Sequence, residues 1–278
     1  MKFSVLIAHY NNASYFSDCF QSLLRQTYHN WEAVILDDAS EPDEKQKVLN
    51  LIAGDSRFIF YENEKNSGVG VTKSKLIELS TGDICGFVDP DDAILPDAIE
   101  RSVAEFKKDQ NVVLAYSQLV FCDQDLNPVK KFRSAMQVQN GDPYFFNYPI
   151  QIAHFVTFRK SVYERTEKMN SSLKIAEDQD LYLKLYEKGN VKFIDDANYL
   201  YRNHSGGISQ NDNKKKSYEY WGKVIFNAMK RRELTFINGI KIPETYTNPD
   251  AVFKLLHYQN SISYRLVKKA KIFFQQFW

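Results

Sequence analysis

The chain opens on an unbroken apolar run, Phe3–His9, the pattern of a strand covered on both faces of a sheet. Asn11 and Asn12 end it. After Ser14, the residues Phe16, Cys19, Phe20, Leu23 and Leu24 recur at helical spacing. The alternation then repeats. Trp31–Leu36, Phe58–Tyr61, Ile84–Val88 and Val112–Phe121 read as strands. Asp43–Ile52, Val71–Leu79 and Pro96–Lys107 read as helices, the last with proline in its first turn. Strand and helix taking turns in this way predict a mainly parallel central sheet with helices on both faces, an α/β fold. Further on the pattern loosens. Asn127–Ile150 is polar and aromatic without a period. Phe155–Phe158 reads as a short strand, Asp178–Lys188 as a helix closed by Gly189, and Val191–Ile194 as another strand. From Ser205 onward the chain carries Lys214-Lys215-Lys216, helical patterns and a basic aromatic tail.

Composition narrows the possibilities. At 278 residues and 44% hydrophobic, the chain can bury one large core. A net charge of +1 gives no global field that selects nucleic acid, and no nucleic-acid partner is expected. Cys19, Cys85 and Cys122 lie far apart with no CxxC pair, which fits neither a disulfide framework nor a zinc site. Buried thiols in a reducing compartment are the expectation. The opening MKFSVLIAHYNN reads as a strand, because no small-residue cleavage site follows the short apolar run. No stretch reaches the ~20 apolar residues that cross a bilayer. A cytoplasmic protein is expected, free or resting on the inner face of the membrane.

Polar chemistry gathers where the strands end. The first strand runs into His9-Tyr10-Asn11-Asn12, the second into Asp37-Asp38-Ala39-Ser40, and the fourth into Asp89-Pro90-Asp91-Asp92. In open α/β sheets ligands bind beyond such carboxyl ends. Five carboxylates on one rim repel each other unless a cation neutralises them. Hard oxygen ligands there suit Mg²⁺ or Mn²⁺, which can in turn hold a diphosphate. On an extended chain, D-x-D puts both side chains on one side. The competing reading is a strand-to-helix turn whose aspartates cap the next helix.

The ordered set of segments makes the pattern specific. It comprises Ser4 through Asn11, Leu23-Leu24-Arg25-Gln26-Thr27-Tyr28, Trp31-Glu32 and Val34 through Ser40. Asn66-Ser67-Gly68-Val69-Gly70, Thr81-Gly82-Asp83, Phe87 through Asp92 and Leu95-Pro96-Asp97 follow. Phe158 through Tyr163, Ala176 through Leu181 and Tyr201-Arg202-Asn203-His204-Ser205 complete it. In order and spacing this resembles glycosyltransferase family 2, the inverting enzymes on the Rossmann-like GT-A fold. The resemblance implies a catalytic domain over 1–207 and a C-terminal helical extension over 208–278.

It also implies roles. Tyr10 would flank the base, Asn11 would support its loop, and Asp38 would accept from the base imide, favouring uracil. Ala8 lies in the nucleotide-sugar segment where many members carry proline. Lys73 would approach the diphosphate, a solvated helix lysine being the alternative. Asp91 would bind Mn²⁺ or Mg²⁺, Asp89 would face ribose or metal, and Asp92 is a competing ligand. His204 matches a metal- or diphosphate-facing histidine, with an ordinary surface histidine as the alternative. Asp178 of Glu177-Asp178 would be the catalytic base, although acids are stabilising in a helix's first turn in any case. Gly206-Gly207 would allow a loop to close over the donor.

The implied partners are a nucleotide-sugar donor and a carbohydrate or lipid-linked glycan acceptor in surface-polysaccharide or glycoconjugate synthesis. The acceptor is expected over Asp142–His154, where Tyr144, Phe145, Phe146 and Tyr148 either stack on sugar or belong to the core. The tail Ser263–Trp278 interleaves Arg265, Lys268, Lys269 and Lys271 with apolar residues. It reads as a basic amphipathic helix on an anionic membrane surface, or as a helix packed on the domain with its basic face in water. Two rival classes remain. A sugar-nucleotide pyrophosphorylase lacks support, because no glycine-rich phosphate loop follows the first strand. A non-catalytic carbohydrate- or nucleotide-binding relative is opposed by the presence of Asp91 and Asp178.

Overall fold

The structure, a computed structural model, describes residues 1–204 and 214–275. Gly206-Gly207, the expected 207/208 boundary and the tail residues Phe277 and Trp278 fall outside the described residues. In chain order the strands are β1 (Phe3–His9), β2 (Trp31–Asp37), β3 (Phe58–Glu62), β4 (Ile84–Phe87), β5 (Ala93–Ile94), β6 (Val112–Cys122), β7 (Pro128–Lys131), β8 (Val156–Arg159), β9 (Asn190–Arg202), β10 (Phe236–Ile237) and β11 (Ile240–Lys241). The helices are α1 (Ala13–Leu24), α2 (Pro42–Ile52), α3 (Val69–Leu79), α4 (Ala98–Lys108), α5 (Lys160–Tyr163), α6 (Glu177–Tyr186), α7 (Lys214–Arg231), α8 (Pro249–Leu256) and α9 (Ile262–Gln275).

The main sheet has the order β3-β2-β1-β4-β8-β6-β9-β5, with β7 added on β6. β3, β2, β1 and β4 run parallel, as do β6 and β9, and β8 lies antiparallel between β4 and β6. Alternation along each strand sends its side chains to two faces. Phe3, Val5 and Ile7 of β1 join Ala33 and Ile35 of β2 in one core, and Leu6 joins Val34 and Leu36 in the other. This is why β1 and β2 read as continuous apolar runs: both faces are covered.

The elements expected up to Val112–Phe121 all form, with ends shifted by one to a few residues. Pro96 stands just outside α4, whose N-cap is Asp97. The strand expected at Val191–Ile194 is instead the long β9, which runs on to Arg202. The C-terminal helices do not form a separate unit. Val224, Ile225, Ala228 and Met229 of α7 and Val252 and Phe253 of α8 lie in the same core as Leu6, Leu114 and Leu181.

A buried carboxylate pins the sheet at the end opposite the polar rim. Glu32 accepts from Lys2 Nζ, Ser4 Oγ, Thr81 Oγ1 and the Thr81 amide. Burial alone would raise its pKa, but these donors outweigh burial and hold it at about 2, against 4.5 ordinarily. A depressed carboxyl stabilises the fold above its unfolded pKa and loses that contribution as pH falls through the folded value. Glu32→Gln should therefore remove about 3 kcal/mol at neutral pH and flatten the fall in melting temperature between about pH 4.5 and 2. Calorimetric melts across that range would test this; an unchanged acid profile would refute it.

Candidate active site

Each strand end turns into its helix through a different clamp. At the end of β1, His9 is buried, and its Nδ1 lies 2.8 Å from Asp37 Oδ2. Asp37 Oδ1 accepts the Ser40 amide, Ser40 Oγ accepts the Asn11 amide, and Asn11 Oδ1 accepts the Glu41 amide. Burial would raise the Asp37 pKa, but the bonds from His9 and Ser40 prevail and keep it below the usual carboxylate range. Asn11 adopts φ 46°, a left-handed conformation that asparagine tolerates. Asn11 thereby crosslinks the two strand ends. Tyr10, at 50% exposure, is left facing outward beside it, while Ala8 packs partly buried against the core.

Asp38 is buried and already heavily used. Its Oδ1 accepts from Asn63 Nδ2 and the Ser67 amide, and its Oδ2 accepts from the Gly68 amide. Gly68 has φ 85° and leads directly into α3, so this carboxylate fixes the turn that starts that helix. A base imide would have to share Oδ2 with Gly68.

The segment after β4 separates its three carboxylates. Asp92 turns inward, accepting from Tyr199 Oη at 2.7 Å and the Arg202 amide at 2.8 Å. Burial first, then Asp89 and Asp91, push its pKa well up. Both Asp92 oxygens are thus engaged within the protein. Asp91 stays at the surface of the cleft, with Oδ2 2.8 Å from His204 Nε2, and Asp89 is half-buried beside it. β9 organises all of this. The Asp89 amide donates to Tyr199 Oη, Arg202 Nε donates to the Asp91 carbonyl, and Arg202 also binds Asp18 and the Gln124 carbonyl. The His204 ring packs 4.7 Å from Tyr15. His204 is thus held against Asp91 of the D-x-D, its side chain 9% exposed.

Lys73 lies inside the protein rather than in solvent. Its ammonium is buried and bonded to Glu177 Oε1 at 2.9 Å, joining α3 to the start of α6. Burial would lower its pKa, but Glu177, Asp89 and Asp178 raise it further and keep it charged. Lys73 is therefore not a solvated helix lysine: its ammonium is buried and spends one of its three N–H donors on Glu177.

Asp178 lies in the first turn of α6, which begins after Ala176 at φ 63°. Three acids share that turn. Glu177 pairs with Lys73, and Asp180 pairs with Lys184 at 2.7 Å. Among the described residues no lysine or arginine forms an ion pair with Asp178; its Oδ1 accepts the Gln179 amide at 2.8 Å. Burial and then Glu177 raise the Asp178 pKa, opposed by Lys73 and His154. Burial first, then the charges of Asp178, Asp89 and Glu177, push the phenol of buried Tyr182 well up.

His154 and its support were not foreseen. Its ring stacks on Tyr199 at 5.0 Å, and its Nδ1 is buried without a hydrogen-bond partner. The loop that delivers it is held by the fully buried Asn147, at φ 53°. Asn147 bonds to Gln151, to both backbone groups of Ile152 and to Gln179, next to Asp178. Phe145 and Phe146 are core residues, whereas Tyr144 is 38% exposed. No period in Asn127–Ile150 could have revealed this; Asn147 followed by Pro149 is one turn signal among several there, beside Asn127-Pro128 and Asn140-Gly141-Asp142-Pro143.

A mainly parallel sheet, with a polar site at its carboxyl rim built from a D-x-D and a facing acidic pair, defines the GT-A class of fold. Residues 4–166 match the profile of "Glycosyl transferase family 2", and the chain belongs to that family. It is 31% identical to a chondroitin synthase of Escherichia coli, over 70% of this chain and 28% of that protein. It is 26% identical to a hyaluronan synthase of Pasteurella multocida, over 97% of this chain and 27% of that protein. The chain thus spans little more than a quarter of these relatives' length. Among solved structures, S. aureus TarS 1–349 in complex with UDP-GlcNAc superposes with a TM-score of 0.66 at 19% identity, covering 94% of this chain and 73% of that one. A mannosyltransferase of Pyrobaculum calidifontis, in complex with GDP-Man and Mn²⁺, gives 0.60 at 13% identity, covering 92% and 68%. These structures share the fold.

Proposed function

We propose that this protein is an inverting glycosyltransferase that moves a sugar from a UDP-sugar to a hydroxyl of a carbohydrate or lipid-linked glycan in surface-polysaccharide synthesis. The observation that carries the reading is Asp178: among the described residues it alone of the acids of its turn lacks a basic ion-pair partner. The relatives' names, chondroitin and hyaluronan synthase, support polysaccharide synthesis. The bound UDP-GlcNAc of TarS supports a UDP-sugar. Buried Cys19, Cys85 and Cys122, all free, suit the cytoplasmic side.

In this reading Tyr10 flanks the base and Asn11, Asp37 and Asp38 fix the loops around it. Asp91 and His204 would hold Mn²⁺ or Mg²⁺, with Asp89 toward ribose or the ion. The donor set fits: a carboxylate and an imidazole already meet at 2.8 Å. Among the described residues no three acidic, histidine or cysteine side chains gather as a metal site, so the donor's phosphates would complete the coordination. Such an ion, when bound, neutralises the diphosphate's charge. Asp178 accepts the proton of the acceptor hydroxyl as that oxygen bonds to the anomeric carbon. The bond from that carbon to the diphosphate breaks, and its electron pair leaves with UDP. Backside attack inverts the anomeric centre, and no enzyme nucleophile is used.

Calorimetric titration of UDP, GDP and CMP, with and without Mn²⁺, tests the donor site. UDP should bind best, and both binding and its Mn²⁺ dependence should fall by more than tenfold in Asp91→Ala. Equal binding in the variant would remove Asp91 from the site, and preference for GDP or CMP would overturn the UDP assignment.

A further inference from the structure

Helix α9 is mounted the wrong way round for a helix of a globular domain. Such helices bury their apolar stripe and leave charge in water. Here the docked side is polar. Lys268 is mostly buried, 3.7 Å from Asp142 Oδ2 and over the ring of Phe145, and Gln275 exchanges hydrogen bonds with both backbone groups of Asn140. The side turned away from the protein is apolar: Ile262 is 78% exposed, Leu266 62%, Val267 56% and Phe274 62%. At about 100° per residue these four fall within an arc of about 140°. Exposed Arg265 and Lys269 border the arc on one edge and Lys271 on the other, and the helix has no acidic residue. Among the described residues nothing covers these apolar side chains, which is the reverse of a packed helix with its basic face in water.

We propose that this face of α9 rests on an anionic lipid surface, with the apolar arc in the headgroup–acyl boundary and the basic edges on lipid phosphates. Charge selects this occupant over a second copy: pairing two such faces would bring their basic borders together with no acid to offset them. No described helix is long and apolar enough to cross a membrane, so the contact is with its surface. This proposal stands on the helix alone and does not require the transfer reaction.

Co-sedimentation of the full chain with vesicles tests it. The protein should bind mixed phosphatidylglycerol–phosphatidylcholine vesicles, and bind pure phosphatidylcholine far less. L266S/V267S/F274S should lose more than tenfold of the binding with an unchanged melting temperature and unchanged UDP titration, since those side chains are exposed. Each of Arg265→Gln, Lys269→Gln and Lys271→Gln should cost about fivefold at low salt. A wild-type chain that stays in the supernatant with anionic vesicles at low salt overturns the proposal. So does equal sedimentation of the triple variant, or a dimer in sedimentation equilibrium that the triple variant converts to monomer.

Discussion

Asp178→Asn should lower the transfer rate by about 10²–10⁴-fold while leaving UDP affinity and melting temperature almost unchanged. Asparagine keeps the shape of the side chain and can still accept the Gln179 amide through its oxygen. What it removes is the ability to take a proton from the acceptor hydroxyl. The competing role, an acid that merely suits the start of α6, makes a different prediction: a loss of about 0.3–1 kcal/mol of stability with no loss of rate. Because Glu177 and Asp180 are each tied to a lysine, the helix start keeps its negative charge in the variant. Rate and melting curve measured on the same preparation therefore separate the two roles. A variant that transfers sugar at the wild-type rate would move proton removal to another group, with His154 the nearest candidate.

The two halves of the site were legible to different degrees. β1, β2 and β4 are mostly apolar, Ser4 and Glu32 aside, and run within a few residues into Asn or Asp, so the rim and its carboxylates follow from the pattern alone. Which carboxylate points where does not. Asp91 and Asp92 are adjacent in sequence, yet one meets His204 and the other is sealed under Tyr199 and Arg202, more than a hundred residues later. The pairing of β9 with β6 and with β5, which directly follows Asp92, brings that strand to the rim. Lys73 shows the same limit: the alternative of a solvated helix lysine could be set aside only once its partner, Glu177, was placed across the fold. His154 arrives on a loop with no period, held by a single buried asparagine. Local pattern located the chemistry, and long-range contacts assigned it. The tail is the converse case. Its amphipathic spacing was plain, but the side that faces the protein was set by Asp142 and Asn140, which the spacing does not report.

Lys73→Met and Glu177→Gln should move the acid limb of kcat/KM in opposite directions. Asp178 is pushed up by burial first and then by Glu177, and is held down by Lys73 and by His154 from the facing loop. Removing the lysine takes away a charge that favours the ionised base, so the limb shifts to higher pH and activity near neutrality falls. Removing the glutamate's charge takes away a repulsion, so the limb shifts to lower pH. Asp89, which also acts on Lys73, is unchanged in both variants and cannot mimic the difference. Stability should divide differently. Lys73→Met leaves Glu177 buried without its counter-charge, at a cost of about 3–5 kcal/mol, whereas replacing both partners removes the charge that needed compensation. The double variant should therefore melt above Lys73→Met while recovering an acid limb near that of the wild type. Limbs that move the same way in both single variants would show that Asp178 does not lie between these two charges. A small stability loss in Lys73→Met would show that water reaches the pair. Either result would return Lys73 to the donor side of the cleft, where its effect should appear in UDP affinity instead.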